Sequence, residues 1–172
     1  MITIMFSKTH SSSGFTLIEV IVSFSVIAIL STLGIAAFLL YSTDQQFKNT
    51  YLEFANNVSS ARSRSISQVK PTGCIDTLLG YKIYIKSANQ YEIYAICGAT
   101  EAEAQRFDIK LYSFSSSISF SEESLLEEIY FPILKDEISL ENTTIVLQTQ
   151  DGDKKKAIVV DKLGGISIQD AQ

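Results

Sequence analysis

From Val20 to Thr43 the chain runs for 24 residues without a charged side chain. As a helix rising ~1.5 Å per residue this stretch covers about 36 Å, enough for one crossing of a hydrocarbon core about 30 Å thick. A rod this long and this apolar must sit in lipid or pack among other apolar helices. Just ahead of it stands Gly14-Phe15-Thr16-Leu17-Ile18-Glu19-Val20, where a carboxylate interrupts apolar surroundings. An acid at the centre of a membrane helix costs roughly 2.5–3.5 kcal/mol on insertion scales, so Glu19 is a candidate functional residue whose partner has to be named. The alternative is an acid near the membrane edge that reaches back to water or to the positive end of its own helix.

Residues 1–14 carry Lys8 and no acid, end in a polar run, and read as a leader rather than as structure. A secretory signal would be cut beyond its apolar core, whereas Ala36-Ala37 lies inside a run that is longer than a usual signal core. Residues 15–43 are therefore expected to be a membrane-spanning half-helix.

Past the apolar run, residues 44–70 show one helical stripe: Phe47, Tyr51, Phe54, Val58 and Ala61. Lys48, Asn49, Glu53, Asn56, Asn57, Arg62 and Arg64 fall between these positions and suit a wet face. No proline or glycine interrupts from Ile35 to Lys70, and Pro71-Thr72-Gly73 supplies a stop. The pattern predicts one helix from about Phe15 to about Gln68.

From Cys74 the period switches to two. Tyr81–Lys86 and Tyr91–Ile96 predict a hairpin turning through Ser87-Ala88-Asn89-Gln90. Further strands are expected at Phe107–Tyr112 and Ile118–Ser121, with a helical turn over Ser124–Glu128 ahead of Tyr130-Phe131-Pro132. Thr144–Thr149 and Ala157–Asp161 predict a second hairpin around Asp151-Gly152-Asp153, and Ile166–Gln169 a last strand. The expected fold is α+β: residues 71–172 form a β-rich domain with a single antiparallel sheet of six or seven strands, covered by the amphipathic half of the helix.

The net charge is −5, and in the part after the leader 13 basic residues face 19 acidic ones, a balance of −6. Phosphate binding relies on a basic patch, so the balance argues against nucleic acid as the main partner. Cys74 and Cys97, the only cysteines, fall in the part expected outside the cytoplasm. A disulfide between them would close a loop contributing on the order of 3 kcal/mol; two buried free thiols are the alternative. With His10 as the only histidine, no zinc or other metal site is expected. No Ser/His/Asp or Cys/His set and no glycine-rich phosphate loop can be assembled, so neither catalytic residues nor a cofactor is expected.

The segment Gly14-Phe15-Thr16-Leu17-Ile18-Glu19-Val20, with its leader and apolar helix, resembles the processing site of type IV prepilins and type II secretion pseudopilins. The resemblance implies cutting between Gly14 and Phe15 by a prepilin peptidase and methylation of the new amine on Phe15. It also implies pairing of Glu19 with the Phe15 amine of a neighbouring subunit during assembly. Ala36 stands where many major pilins have proline, leaving Gly34 alone to loosen this part of the helix. Ala61-Arg62-Ser63-Arg64-Ser65-Ile66 and the Ile158–Ile166 segment are similar to the H-type minor pseudopilins and related minor pilins. The role implied is that of a minor structural subunit, without enzymatic activity, of a type IV pilus or a type II secretion pseudopilus. Implied partners are the peptidase, other pilin or pseudopilin subunits and a membrane-embedded assembly platform. The chain would cross the inner membrane once, with its soluble domain outside, before joining the filament.

The alternative is a membrane-anchored binding module. Lys154-Lys155-Lys156 is the only basic run. Some minor pilins of this kind bind DNA through basic residues near the C-terminus, although three lysines in a hairpin turn are more often a solvated loop. Tyr81, Tyr84, Tyr91 and Tyr94 are strand aromatics, of which Tyr84 shares a face with Lys82 and Lys86. A ligand platform and plain cross-strand packing both fit them, and packing is the commoner use.

Overall fold

The computed structural model describes residues 14–133, 143–162 and 164–171, so the leader apart from Gly14, and Leu163, lie outside the described residues. Helix α1 spans Leu17–Ile66 and is followed by β1 (Leu78–Ser87), β2 (Gln90–Cys97), β3 (Gln105–Ser113), β4 (Ile118–Phe120), β5 (Glu128–Pro132), β6 (Thr143–Thr149), β7 (Lys155–Val160) and β8 (Ile166–Asp170). The fold is α+β, one long amino-terminal helix followed by antiparallel sheets. Two compact units divide it, Met1–Asp44 and Gln45–Gln172, with the boundary inside α1.

In the first unit no described side chain is buried, although nearly all are apolar. The hydroxyls among them are satisfied within the helix. Ser23 donates to the Glu19 carbonyl at 2.7 Å, Ser25 to Ile21 at 2.8 Å, Ser31 to Ile27 at 2.7 Å and Thr43 to Leu39 at 3.0 Å. Such back-bonding keeps these donors from being left dangling in lipid.

In the second unit the stripe predicted from spacing is the one that is buried: Phe47, Phe54, Val58 and Ala61 are core residues, and Tyr51 packs at their edge. Ala55 and Ser65 join them. Ser65 can be buried because its hydroxyl donates to the Phe131 carbonyl at 2.7 Å. Two residues expected on the wet face are half-buried and bond to the strands instead. Asn57 donates to the Tyr91 hydroxyl at 2.8 Å, and Arg64 lies 3.7 Å from Asp108. They flank the stripe, where a long polar side chain reaches strands that a helical wheel does not contain.

The helix ends earlier than the Pro71-Thr72-Gly73 signal. Val69 N–H donates to Arg64 O and Gln68 N–H to Ser65 O, at 2.9 and 3.0 Å, while Gln68 takes a φ of 51°. This pair of bonds around a left-handed residue is a Schellman motif, with glutamine where glycine is usual.

The expected single sheet is two. One has the order β3-β2-β1-β5 and the other β4-β6-β7-β8, all neighbours antiparallel. After β3 the chain leaves the first sheet to place β4 beside β6, then returns to lay β5 along β1. Strand periodicity reports burial and not the partner, so this exchange has no signature in spacing. The proline of β5, Pro132, ends an edge strand, where a missing N–H is tolerated. The helical turn expected over Ser124–Glu128 lies at Glu122–Ser124. Ser124 is drawn in because its oxygen accepts from Val146 N–H at 2.9 Å, and the backbone at Leu126 and Glu127 pairs with Ile85 instead of coiling.

Both sheets meet on one helix side chain. The Phe54 ring is 4.9 Å from that of Tyr91 in the first sheet and 5.4 Å from that of Phe120 in the second, edge-on to both. Cys74 and Cys97 form a disulfide that ties the segment after the helix to the end of β2.

Truncating Phe54 to alanine removes the side chain shared by the two sheets and is expected to cost about 3–5 kcal/mol, as for other buried aromatics; urea unfolding of the segment from Gln45 measures it. Gln68→Gly relieves the left-handed residue and is expected to stabilise the same segment by about 1 kcal/mol. An unchanged or lower midpoint would mean that the glutamine side chain itself holds the helix end.

Candidate processing and assembly site

The amino end of α1 is built by two residues. Thr16 precedes the first helical residue, and its hydroxyl oxygen accepts from the Glu19 N–H at 3.4 Å, while its carbonyl accepts from Val20 N–H at 3.3 Å. Thr16 is thus the N-cap. Glu19 is the third residue of the helix, which gives Thr16-Leu17-Ile18-Glu19 the pattern of a capping box. A carboxylate in the first turn also faces the positive end of the helix dipole. The signal was present in the sequence as a threonine three residues before an acid, but the apolar setting of Glu19 drew attention to charge rather than to backbone capping.

Gly14 lies outside the helix, and a Cβ built on it would meet nothing within 4 Å. Phe15 and Glu19 are also exposed. The bond between Gly14 and Phe15 is therefore in open, non-helical backbone, the form in which a peptide enters a protease cleft. Cutting there would leave the new amine one residue ahead of the N-cap, beside the first-turn N–H groups and the positive helix end. A positive charge so placed favours a nearby carboxylate.

The remaining candidates lie elsewhere. Lys154 is in the β6–β7 connection, but Lys155 and Lys156 belong to β7, where strand alternation turns successive side chains to opposite faces. The Lys156 ammonium bonds the Asp170 carboxylate and stands 5.9 Å above the Tyr51 ring; the Asp170 bond holds its pKa above the usual lysine value. The three lysines are therefore not one solvated loop. Tyr81 and Tyr91 are buried on the face that meets α1, and burial raises both phenol pKa values. Tyr84 stays half-buried on the opposite face with Lys82 and Lys86, and Tyr94 is buried there beneath Arg106. Among the described residues no group of histidine, cysteine and acidic side chains is placed to hold a metal.

Comparison with known proteins gives one match. Residues 9–35 fit the family model described as the prokaryotic N-terminal methylation motif. No curated protein and no solved structure matches the chain. The matched stretch covers Gly14, Phe15, Thr16 and Glu19, and it opens a helix whose mean hydropathy of 2.4 over 18 residues makes it apolar enough to cross a membrane. Over this amino-terminal motif and the helix that carries it, the chain is similar to type IV pilin-like precursors.

Proposed function

We propose that the chain is a minor structural subunit of a type IV pilus or a type II secretion pseudopilus. In this reading prepilin peptidase cuts between Gly14 and Phe15, the Phe15 amine is methylated, and the subunit passes from the inner membrane into a filament. Its work is mechanical rather than catalytic. The observation that carries the reading is the joining of the methylation motif to an apolar half-helix in which no described side chain is buried. Such a surface needs lipid before assembly and other apolar helices afterwards.

Glu19 then has two tasks. Its place in the capping box steadies the first turn of its own helix, and its charge pairs with the Phe15 amine of a neighbour and sets the axial register. An isolated carboxylate in apolar surroundings gains most from a fixed positive charge, which the processed neighbour supplies.

Mass spectrometry of the mature chain is expected to find N-methylated Phe15 as the first residue. A first residue at Met1, or a cut near Ala37, would remove the reading. The two tasks of Glu19 separate by substitution, because glutamine serves the capping box while carrying no charge. Glu19→Gln and Glu19→Ala should both insert in the membrane, and both should lose filament incorporation by at least about tenfold. Normal incorporation of Glu19→Gln would show that capping, and not charge, is what assembly requires.

A further inference from the structure

On β1, Tyr81, Ile83 and Ile85 point into the core beneath α1, so Lys82, Tyr84 and Lys86 occupy the opposite face of the first sheet. The strand register sets Tyr130, Lys82 and Tyr94 in one row across that face, and Pro132, Gly80, Ile96 and Arg106 in the next. Gly80 is required there: a Cβ would lie 2.3 Å from the Phe131 carbonyl oxygen and 2.8 Å from Cε2 of Tyr130. With no side chain in the way, Tyr130 leans over β1 and its hydroxyl donates to the Leu79 carbonyl at 3.1 Å. What results is an open pocket of about 300 Å³ lined by Lys82, Tyr94, Ile96, Ala104, Arg106 and Tyr130.

The charges of this pocket are unequal in their partners. Lys82 is 2.6 Å from Glu128, and Lys86 is 2.7 Å from Glu92, so both acids of the adjoining row already face a cation. The Arg106 guanidinium lies 4.5 Å from the centre of the Tyr94 ring. Among the described residues no carboxylate is within ion-pair distance of it. Stacking on an aromatic face holds the planar fork in place while leaving its edge donors free, the arrangement that suits bidentate capture of a carboxylate. The rest of the lining is Ile96, Ala104, the tyrosine rings and two polar groups already committed, the Lys82 ammonium to Glu128 and the Tyr130 hydroxyl to Leu79. Such a wall offers little to the many hydroxyls of a sugar, whereas a single acid on a short aliphatic stem satisfies it. The volume is at the small end for ligand sites and matches one side chain with its flanking backbone.

The geometry points to a docking pocket for an acidic peptide segment of a partner protein, with Arg106 receiving a glutamate or aspartate carboxylate. It stands apart from the helix-based assembly at Glu19, and either can fail without the other. The test uses the full chain in detergent and fluorescence anisotropy of a labelled hexapeptide of alanine and leucine with one central glutamate. The same peptide with glutamine should bind about tenfold more weakly, and Arg106→Gln should weaken the glutamate peptide by a similar factor. Arg106→Lys, a point charge without the fork, should fall between them. Absence of binding by the glutamate peptide, equal binding of the two peptides, or an affinity unchanged by Arg106→Gln would each overturn the proposal. Displacement of the peptide by glucuronate at lower concentrations than by glutarate would overturn it in favour of an acidic sugar.

Discussion

One stripe of α1 packs against both sheets of the carboxy-terminal unit. Phe54 stands between Tyr91 and Phe120, each from a different sheet, and its ring is fully buried. Phe47, Val58 and Ala61 extend the contact along the helix, so a single hydrophobic cluster includes residues from α1 and from both sheets. Hydrophobic burial is roughly proportional to the apolar area removed from water, and small four-stranded sheets remove little without a cover. The helix stripe therefore reinforces a junction that the sheets also make directly, through the Tyr91 and Phe120 rings 6.1 Å apart and the Phe120 N–H donating to the Ala88 carbonyl.

Polar groups fit around this core without orphans. Ser65, Ser124 and Thr149 are buried, and no buried side-chain nitrogen or oxygen lacks a hydrogen-bond partner among the described residues. Asn57 and Ser65 carry the helix's polar bonds to β2 and β5, giving the hydrophobic contact a fixed register. The Cys74–Cys97 bridge acts on the same region by shortening the unfolded chain between the helix end and the first hairpin.

The amino-terminal unit follows the opposite logic. Its described apolar side chains are all exposed, and Ser23, Ser25, Ser31, Thr32 and Thr43 bond their hydroxyls to carbonyls of the preceding turn, so these donors are satisfied inside the helix itself. That is the condition for stability in lipid or in a bundle of like helices. The change of composition near Asp44 coincides with the boundary between the two units.

The sequence alone determined what depends on near neighbours. The charge-free run, the stripe at Phe47, Phe54, Val58 and Ala61, the first hairpin and the Gly14–Glu19 motif are local patterns, because helix and strand periods repeat within a few residues. Even some local chemistry was legible and overlooked, as the Thr16–Glu19 capping box shows. Only the tertiary structure decided which strands pair, since the exchange of β4 and β5 between sheets joins residues far apart in sequence. It also turned Asn57 and Arg64 toward the strands and placed Lys155 and Lys156 in a strand instead of a loop. The pocket beside Arg106 belongs to the same class: its walls come from four strands that share no pattern along the chain and become neighbours only through cross-strand hydrogen bonding.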